Sequence, residues 1–290
     1  GELHSVRTRR SADRGAASDN KRDWLTGFTG SAGLALVLHD RALRFGDGRD
    51  QVQVRAEVDL QAWEIHHLHN EPLADWLKTG VPAGSRIAFE PMLMVNSQYQ
   101  ALSATGCDLV ALQSDPFNTV WQDRPAAPRG IIREMPLAVA GESSHDKRAR
   151  IAAVLAEKGA DYLAITLPDN IAWLLNVRGS DVAMNPVPHS FALLNREGEV
   201  EWFVAEEKLH ELPPALLESL KVSPQQEFVT RCQQVASGKT ILLDADYAPV
   251  ALRFAIEQHG GAVLWQPDPI TFIKASKNAT ELEGYRQSHR

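Results

Sequence analysis

One short pattern occurs twice in this chain and constrains its fold more than any other feature. It covers residues 24–31 and again residues 173–180, and in each copy a tryptophan and a leucine precede a Gly-Ser pair. An apolar run follows each copy, at residues 34–38 and 191–194. Repeats roughly 150 residues apart are far longer than solenoid repeats and have the spacing of whole domains. The pattern therefore indicates two related domains.

Length and composition agree with two folded domains. The chain has 290 residues, of which 44% are hydrophobic and 23% charged, so it can bury two cores of ordinary size. Its net charge of −7 argues against a nucleic-acid partner, which would need a concentrated basic face. The chain has no apolar run of membrane-spanning length, so we expect no membrane partner. Cys107 and Cys232 form no disulfide framework, which favours a cytoplasmic location.

Short β-rich runs alternate with helical segments along both halves, which predicts an α/β fold. Closely spaced strand pairs suggest hairpins, so each domain should contain a mixed β-sheet flanked by helices. We predict strands at residues 34–38, 42–45, 63–67, 86–89, 108–112, 162–165, 191–194, 200–204, 240–243 and 262–265. We predict helices at residues 51–60, 72–78, 97–104, 144–158, 171–175, 214–220, 228–235 and 249–258.

Proline content places the domain boundary between the halves. Pro125, Pro128 and Pro136 stand close together, and proline removes backbone donors and restricts the residue before it, so we predict an extended linker. The predicted segments are an irregular N-terminal tail at 1–19, domain I at 20–124, the linker at 125–142, domain II at 143–270 and a final helical segment at 271–290.

Two helix starts are marked by capping residues. Ser143 and Asn278 are good N-caps, with Asp146 and Glu281 three residues later. In the final helix Leu282, Tyr285 and His289 would share one face. A short helix is marginal in water unless such a stripe packs against something, so we expect a packing partner for it.

Several motifs, in order along the chain, resemble aminopeptidase P, a family of Xaa-Pro aminopeptidases in the creatinase and prolidase superfamily. The similarity runs from about residue 16 to the end, and its motifs also include the terminal residues 273–284. The other residues that carry it are Trp24-Leu25-Thr26-Gly27-Phe28-Thr29-Gly30-Ser31-Ala32-Gly33, Asp47-Gly48-Arg49, Val120-Trp121-Gln122-Asp123-Arg124-Pro125, Ile171-Ala172-Trp173-Leu174-Leu175-Asn176-Val177-Arg178-Gly179-Ser180-Asp181-Val182 and Asn185-Pro186-Val187.

The resemblance implies two creatinase-N-like domains followed by a "pita-bread" catalytic domain with two divalent metal ions, often manganese. The implied reaction of a complete relative removes the N-terminal residue of a peptide with proline at the second position, using a metal-bridging hydroxide. The metal ligands belong to the catalytic domain, so we expect none here beyond its first helix, at 271–290. The chain should then be the noncatalytic N-terminal portion, inactive alone, which shapes substrate access and assembly. A homodimer is a further possible partner.

One site residue is implied by the resemblance. Arg49 matches an arginine that helps similar enzymes bind the substrate peptide, and its planar fork suits a carboxylate or carbonyl. The alternative is that Asp47 and Gly48 make a turn and Arg49 is a solvated residue at a helix start. Asp50 stands where the family usually has an aromatic, and its charge could pair with or misplace Arg49.

A second departure concerns residues 1–16, which do not resemble the family's opening. They are basic and lack strand alternation, so the first sheet is expected to lack a strand. Two other interpretations therefore stay open beside the fragment. The chain could be a free-standing peptide-binding or assembly module, or a decayed gene product without peptidase activity.

Other candidate sites favour structural explanations. Gly27, Gly30 and Gly33 lack dinucleotide-fingerprint spacing and precede a strand, so they predict tight turns. Residues 237–240 lack the first glycine of a Walker motif and predict a helix-to-strand turn. We interpret His66, His67 and His69 as surface residues, and Asp244 and Asp246 as a polar strand end. Trp24, Trp173 and Leu174 are predicted in the core.

Overall fold

The computed structural model describes residues 16–30 and 33–290. The chain divides into two compact units, residues 1–127 and 128–290, which we call unit 1 and unit 2. Residues 1–15 of the predicted tail at 1–19 lie outside the described residues. Ser31 of the repeated pattern also lies outside them. None of the helices in the described ranges is both long and apolar enough to cross a membrane.

Unit 1 alternates strands and helices much as its apolar patterning predicts. Its helices are α1 (Lys21–Thr26), α2 (Gln51–Glu57), α3 (Leu73–Gly80), α4 (Asn96–Ser103) and α5 (Phe117–Val120). Its strands are β1 (Gly33–Val37), β2 (Ala42–Gly46), β3 (Trp63–His67), β4 (Arg86–Phe89) and β5 (Asp108–Ala111).

The strands of unit 1 form two separate sheets. Strands β1 and β2 are antiparallel and are joined by a tight turn, in which the Leu38 N–H donates to the Arg41 carbonyl at 2.8 Å. Strand β3 pairs in parallel with β2, so this three-stranded sheet is mixed as predicted. Strands β4 and β5 form a parallel pair of their own.

Unit 2 contains the remaining elements of the fold. Its helices are α6 (Leu137–Ala140), α7 (Ser144–Lys158), α8 (Pro168–Leu174), α9 (Pro214–Glu218), α10 (Phe228–Val235), α11 (Val250–Glu257), α12 (Pro269–Ala275) and α13 (Ala279–Ser288). Its strands are β6 (Arg133–Glu134), β7 (Tyr162–Ile165), β8 (Val177–Arg178), β9 (Phe191–Asn195), β10 (Val200–Phe203), β11 (Lys221–Ser223), β12 (Thr240–Asp244) and β13 (Ala262–Gln266).

One six-stranded mixed sheet, in the order β11-β10-β9-β7-β12-β13, organises unit 2. Strand β7 lies inside it, antiparallel to β9 and parallel to β12. Near-continuous apolar strands such as β7 and β12 suit this position because their successive residues, which point to opposite faces of the sheet, are buried. The mixed sheets and flanking helices confirm the predicted fold class.

The two predicted N-caps are present in unit 2. The Asp146 N–H donates to Ser143 Oγ at 3.1 Å, and the Glu281 N–H donates to Asn278 Oδ1 at 2.9 Å. The Asn278 N–H in turn donates to the Glu281 carboxylate at 2.9 Å, which completes a reciprocal capping box. Both pairs satisfy N–H groups that a helix start leaves without a partner.

The segment predicted as an extended linker contains regular structure. Strand β6 pairs with β8, and α6 follows Pro136 directly. Proline just before a helix removes no helical hydrogen bond and has a suitable φ, so Pro136 begins an element here instead of preventing one. The predicted domain boundaries at 19, 124, 142 and 270 stay predictions.

The predicted core residues divide between the core and the surface. Trp173 is 8% exposed and Leu174 is fully buried, in agreement with the prediction. The prediction for Trp24 was wrong, because its side chain is 40% exposed. The Trp24 ring stacks on Trp121 at a centroid distance of 5.3 Å and meets the Phe117 ring edge-on at 5.8 Å, so it contributes one face to an aromatic cluster.

Candidate functional site

The turn after strand β2 presents Arg49 to solvent. The carboxylate of Asp47 accepts the Arg49 N–H at 2.9 Å, which starts a short 3₁₀ turn over Gly48–Asp50. Helix α2 begins at the next residue, Gln51. Asp is favoured at such a position because its side chain accepts an N–H that the helix start leaves exposed. The local sequence thus fixes where the arginine leaves the backbone.

The Arg49 side chain is 79% exposed and forms an ion pair with the residue that caps its own turn. Its Nη2 lies 3.1 Å from Asp47 Oδ2, and its Nε lies 3.3 Å from Asp47 Oδ1. These hydrogen bonds lower the pKa of Asp47 to about 2. The guanidinium donates two hydrogen bonds to Asp47, from Nε and Nη2, and an incoming carboxylate or carbonyl could accept from the same donors.

Arg49 is therefore the solvated residue at a helix start that the alternative interpretation predicted. That position does not conflict with a role in substrate binding, which stays a prediction. Asp50 was expected to pair with or misplace Arg49, whereas the acid whose ion pair with Arg49 the structure shows is Asp47.

The histidine cluster is only partly at the surface, because His66 and His67 are half-buried and His69 is exposed, so the surface interpretation holds for His69 alone. His66 Nδ1 lies 2.9 Å from the Glu71 carboxylate, and the ring of His67 accepts backbone N–H groups of His69 and Asn70 at 3.3 Å. Across residues 16–30 and 33–290, no group of three or more His, Cys, Asp or Glu side chains could hold a metal ion.

Three other sequence candidates are structural as predicted. Asp244 ends strand β12, and its carboxylate accepts the N–H groups of Asp246 and Tyr247 at 2.9 Å and that of Asp268 at 2.7 Å. Gly238 has a φ of +67° and lies in the turn between α10 and β12. Gly27, with a φ of +74°, ends α1. Positive φ explains these two glycines without any ligand.

A buried ion pair in unit 2 was missed by the sequence analysis. Lys208 Nζ lies 2.8 Å from Asp181 Oδ2, and both side chains are at most 2% exposed. The same carboxylate accepts the N–H groups of Gly130 at 2.9 Å and His189 at 2.6 Å. Asp181 thus fixes three separate segments. Its motif was visible in the sequence, but no local pattern pairs it with a lysine 27 residues later.

A second buried cation supports the start of strand β8. Lys147 Nζ donates to the Trp173 carbonyl at 3.0 Å and to Asn176 Oδ1 at 2.7 Å, and lies 4.2 Å from the centre of the Trp173 ring. Asn176 has a φ of +52°, a conformation that needs such support in a residue other than glycine. Burial lowers the pKa of Lys147 to about 8.

Both parts of the chain match models of known families. Residues 17–118 and residues 123–281 each match a family described as the Creatinase/Prolidase N-terminal domain. The chain is also 30% identical over 289 residues to the probable Xaa-Pro aminopeptidase P of Laccaria bicolor, covering 94% of this chain and 44% of that protein. A probable Xaa-Pro aminopeptidase P of Coccidioides posadasii is 32% identical over 297 residues, covering 94% and 47%.

A solved structure has the same fold. The X-prolyl aminopeptidase of Caenorhabditis elegans, described as a cytosolic enzyme with a di-nuclear active site, superposes with a TM-score of 0.88 at 24% identity. The match covers 99% of this chain and 49% of that one. The chain thus spans about half the length of the relatives it matches. Because the match at residues 123–281 alone covers more than half of the 290 residues, the chain belongs to the creatinase/prolidase N-terminal domain family.

Proposed function

We propose that this chain is the noncatalytic N-terminal portion of an Xaa-Pro aminopeptidase-like metallopeptidase. The observation that carries the proposal is the pair of consecutive matches to N-terminal domain models, together with coverage of less than half of relatives named as Xaa-Pro aminopeptidases. The substrate of the complete enzyme would be a peptide with proline at its second position. The two units would shape the path by which that peptide reaches the metal centre.

Within this proposal Arg49 binds the substrate peptide. The proposal is supported by the exposed guanidinium of Arg49 just after β2, which donates two hydrogen bonds to the Asp47 carboxylate. A carbonyl or carboxylate of the peptide would replace Asp47 as the acceptor. Because the exchange trades one charged hydrogen-bond partner for another, Arg49 should contribute modestly and mainly to substrate affinity.

The metals of the proposed enzyme do not fit the described residues of this chain. Within those residues no suitable cluster of three metal-ligating side chains exists, so we derive no metal-dependent step here. We place the two divalent ions, with manganese the expected metal, in the part of the relatives that this chain does not cover. A cytoplasmic location and a homodimer complete the proposal, and sedimentation of the purified protein tests the dimer.

The proposed division of labour can be tested by complementing the chain. The 290-residue chain is assayed with manganese chloride on Arg-Pro-Pro peptides, alone and fused to the segment that follows the matched part of the Laccaria bicolor relative. We expect the first residue to be released only by the fusion. Cleavage by the chain alone would refute the noncatalytic role, and a folded, metal-loaded fusion without activity would refute the aminopeptidase assignment.

The role of Arg49 is tested in the same fusion. Arg49→Gln should raise KM about three- to tenfold with little change in kcat, because the lost contact binds substrate before the reaction. Arg55→Gln, an exposed arginine on the following helix, is the matched control. If the two variants have the same KM, Arg49 does not bind substrate.

A further inference from the structure

An open cavity in unit 2 lies between helix α13 and the segment that contains strand β8. Its volume is about 570 Å³, within the range of small-ligand sites. Its walls include Trp173, Arg178, Val187, Lys277 and Tyr285. We call this cavity the α13 groove. Much of its wall comes from the 171–187 motif, whose role the proposed function leaves unexplained.

One part of the α13 groove is apolar and accessible. Met135, Val139 and Tyr285 contribute to its lining, and so does the 8% of Trp173 that is exposed. Val139 is 52% exposed and Tyr285 is 54% exposed, although large apolar side chains gain free energy when they leave water. An apolar or aromatic side chain of a ligand would fit against these walls.

The charged part of the α13 groove is rich in cations held only by carbonyl groups. Arg178 Nη1 donates to the Ala172 and Val177 carbonyls at 3.2 and 2.8 Å. Lys277 Nζ donates to the Lys274 and Ala275 carbonyls at 3.0 and 3.1 Å. Neither cation forms a salt bridge with any carboxylate in the described part of the chain.

The other charges that line the α13 groove already have partners. Lys274 is paired with Asp169. The Glu281 carboxylate accepts the Asn278 N–H at 2.9 Å in the capping box, although its charge also favours the ionised form of Arg178. The lining thus contains three cations and two carboxylates, an excess of one positive charge.

Arg178 is the residue that most favours an acidic ligand. Its side chain is half-buried, so the guanidinium is partly withdrawn from water, and this burial lowers its pKa. A partly desolvated guanidinium gains most from a carboxylate, which it can hold with two hydrogen bonds. The backbone carbonyls fix the position of its Nη1 and leave the remaining donors for such a ligand.

We propose that the α13 groove binds a short peptide segment in which a carboxylate stands beside a large apolar side chain. The carboxylate binds Arg178 and Lys277, and the apolar side chain packs against Val139 and Tyr285. A membrane or a nucleic acid fits less well, because two cations in a cavity are not the broad basic face that either requires. The proposal concerns unit 2 alone and goes beyond the proposed peptidase role.

The test uses the 290-residue protein and two probe peptides, acetyl-Gly-Glu-Phe-Gly-amide and its counterpart with Gln in place of Glu. Binding is measured by titration with amide chemical shifts as the readout. We expect the Glu peptide to shift amides of α13 and β8 and to bind about tenfold or more tightly than the Gln peptide. Its affinity should also fall as salt is added.

Variants separate the two halves of the groove. Arg178→Gln and Lys277→Gln should each weaken the Glu peptide about tenfold, whereas Arg178→Lys should retain part of the affinity. Arg286→Gln is the matched control, because this exposed arginine on α13 pairs with Glu283 and does not line the groove. Tyr285→Ala should weaken both peptides, and Leu282→Ala on the same helix should weaken neither.

Three results would overturn the proposal. The first is equal affinity for the two peptides, and the second is undiminished binding of the Glu peptide by both Arg178→Gln and Lys277→Gln. The third is concentration-dependent self-association that Tyr285→Ala abolishes, which would assign the groove to a second copy of the chain. Lys277→Gln keeps the test valid if Arg178→Gln fails to fold.

Discussion

Both units contain a group of three strands and a pair of parallel strands, but the two units differ in whether a further strand connects these groups. In unit 2, β7 pairs with β9 on one side and β12 on the other, and so connects β9-β10-β11 to β12-β13. In unit 1, β1-β2-β3 and β4-β5 have the same relative directions as those two groups. Within residues 16–30 and 33–127, no strand connects them.

The described residues of unit 1 thus form two smaller sheets where those of unit 2 form one large sheet. The composition of residues 1–16 predicts that the first sheet lacks a strand. Residues 1–15 lie outside the described part, so that statement stays a prediction. What the comparison adds is a physical expectation, because a sheet bonded on both sides of a central strand should unfold more cooperatively than two smaller ones.

The units also differ in how they hold buried charge. In unit 1, Lys21 bridges Glu90 at 2.6 Å and Asp115 at 2.9 Å, and both acids keep about a fifth of their side-chain surface exposed. Burial raises the pKa of Glu90. In unit 2, the Asp181–Lys208 pair is almost completely buried. Loss of a partner should therefore be more damaging in unit 2 than in unit 1.

The largest effect is expected from Asp181→Ala. It leaves the buried Lys208 charge without its carboxylate and two backbone N–H groups without an acceptor, so stability should fall by about 3–5 kcal/mol. Denaturant unfolding measures this change. The double variant Asp181→Ala/Lys208→Met should recover a large part of the loss, and Lys21→Met in unit 1 should cost less, about 1–2 kcal/mol. Equal losses in the two units would contradict the comparison.

Leu163→Ala tests the central strand directly. Leu163 is fully buried in β7, so the substitution should destabilise unit 2 by about 2–5 kcal/mol. Because β7 pairs with both β9 and β12, hydrogen exchange should accelerate in both strands together. Ile87→Ala in β4 is the matched change in unit 1, because Ile87 is only 1% exposed, and its effect should be smaller and confined to the β4-β5 pair. Acceleration in β9 without β12 would show that β7 does not couple them.

Local features of both units could be predicted from the sequence. Strand periodicity placed β3, β4 and β7, and the caps at Ser143 and Asn278 follow from side chains within three residues of each helix start. Such signals depend on neighbours in the chain, and folding leaves them unchanged.

Features that depend on distant partners could not be predicted in the same way. The exposure of Trp24 depends on Trp121, and the burial of Asp181 depends on Lys208. The candidate site shows the same limit. The position and exposure of Arg49 follow from its local turn. The cations of the α13 groove are Arg178 in β8, Lys274 in α12 and Lys277 just after α12, and only the tertiary structure brings them to one cavity.

Lys147→Met should reveal the buried cation of unit 2 through pH. The folded-state pKa is about 8 and the unfolded value is 10.5, so the unfolded state holds more protons between these pH values. The contribution of Lys147 to stability should therefore rise as pH increases from about 8 to 10.5. The difference in unfolding free energy between wild type and Lys147→Met should change by about 1–3 kcal/mol over that window. Lys158→Met controls for loss of a lysine from the same helix, and a constant difference would refute the prediction.

The smallest effect on stability is expected from Arg49→Gln in unit 1, because exposed ion pairs contribute little. Thermal unfolding near pH 7 should be unchanged. The substitution should nevertheless raise the pKa of Asp47 from about 2 toward its ordinary range, since the hydrogen bonds from Arg49 are the largest cause of the depression. A carboxyl NMR titration measures this pKa, with Arg55→Gln as the control. In wild type, the stability linked to Asp47 should be present above about pH 4 and be lost as pH falls toward 2. If the pKa does not move in Arg49→Gln, the Asp47–Arg49 ion pair does not persist in solution.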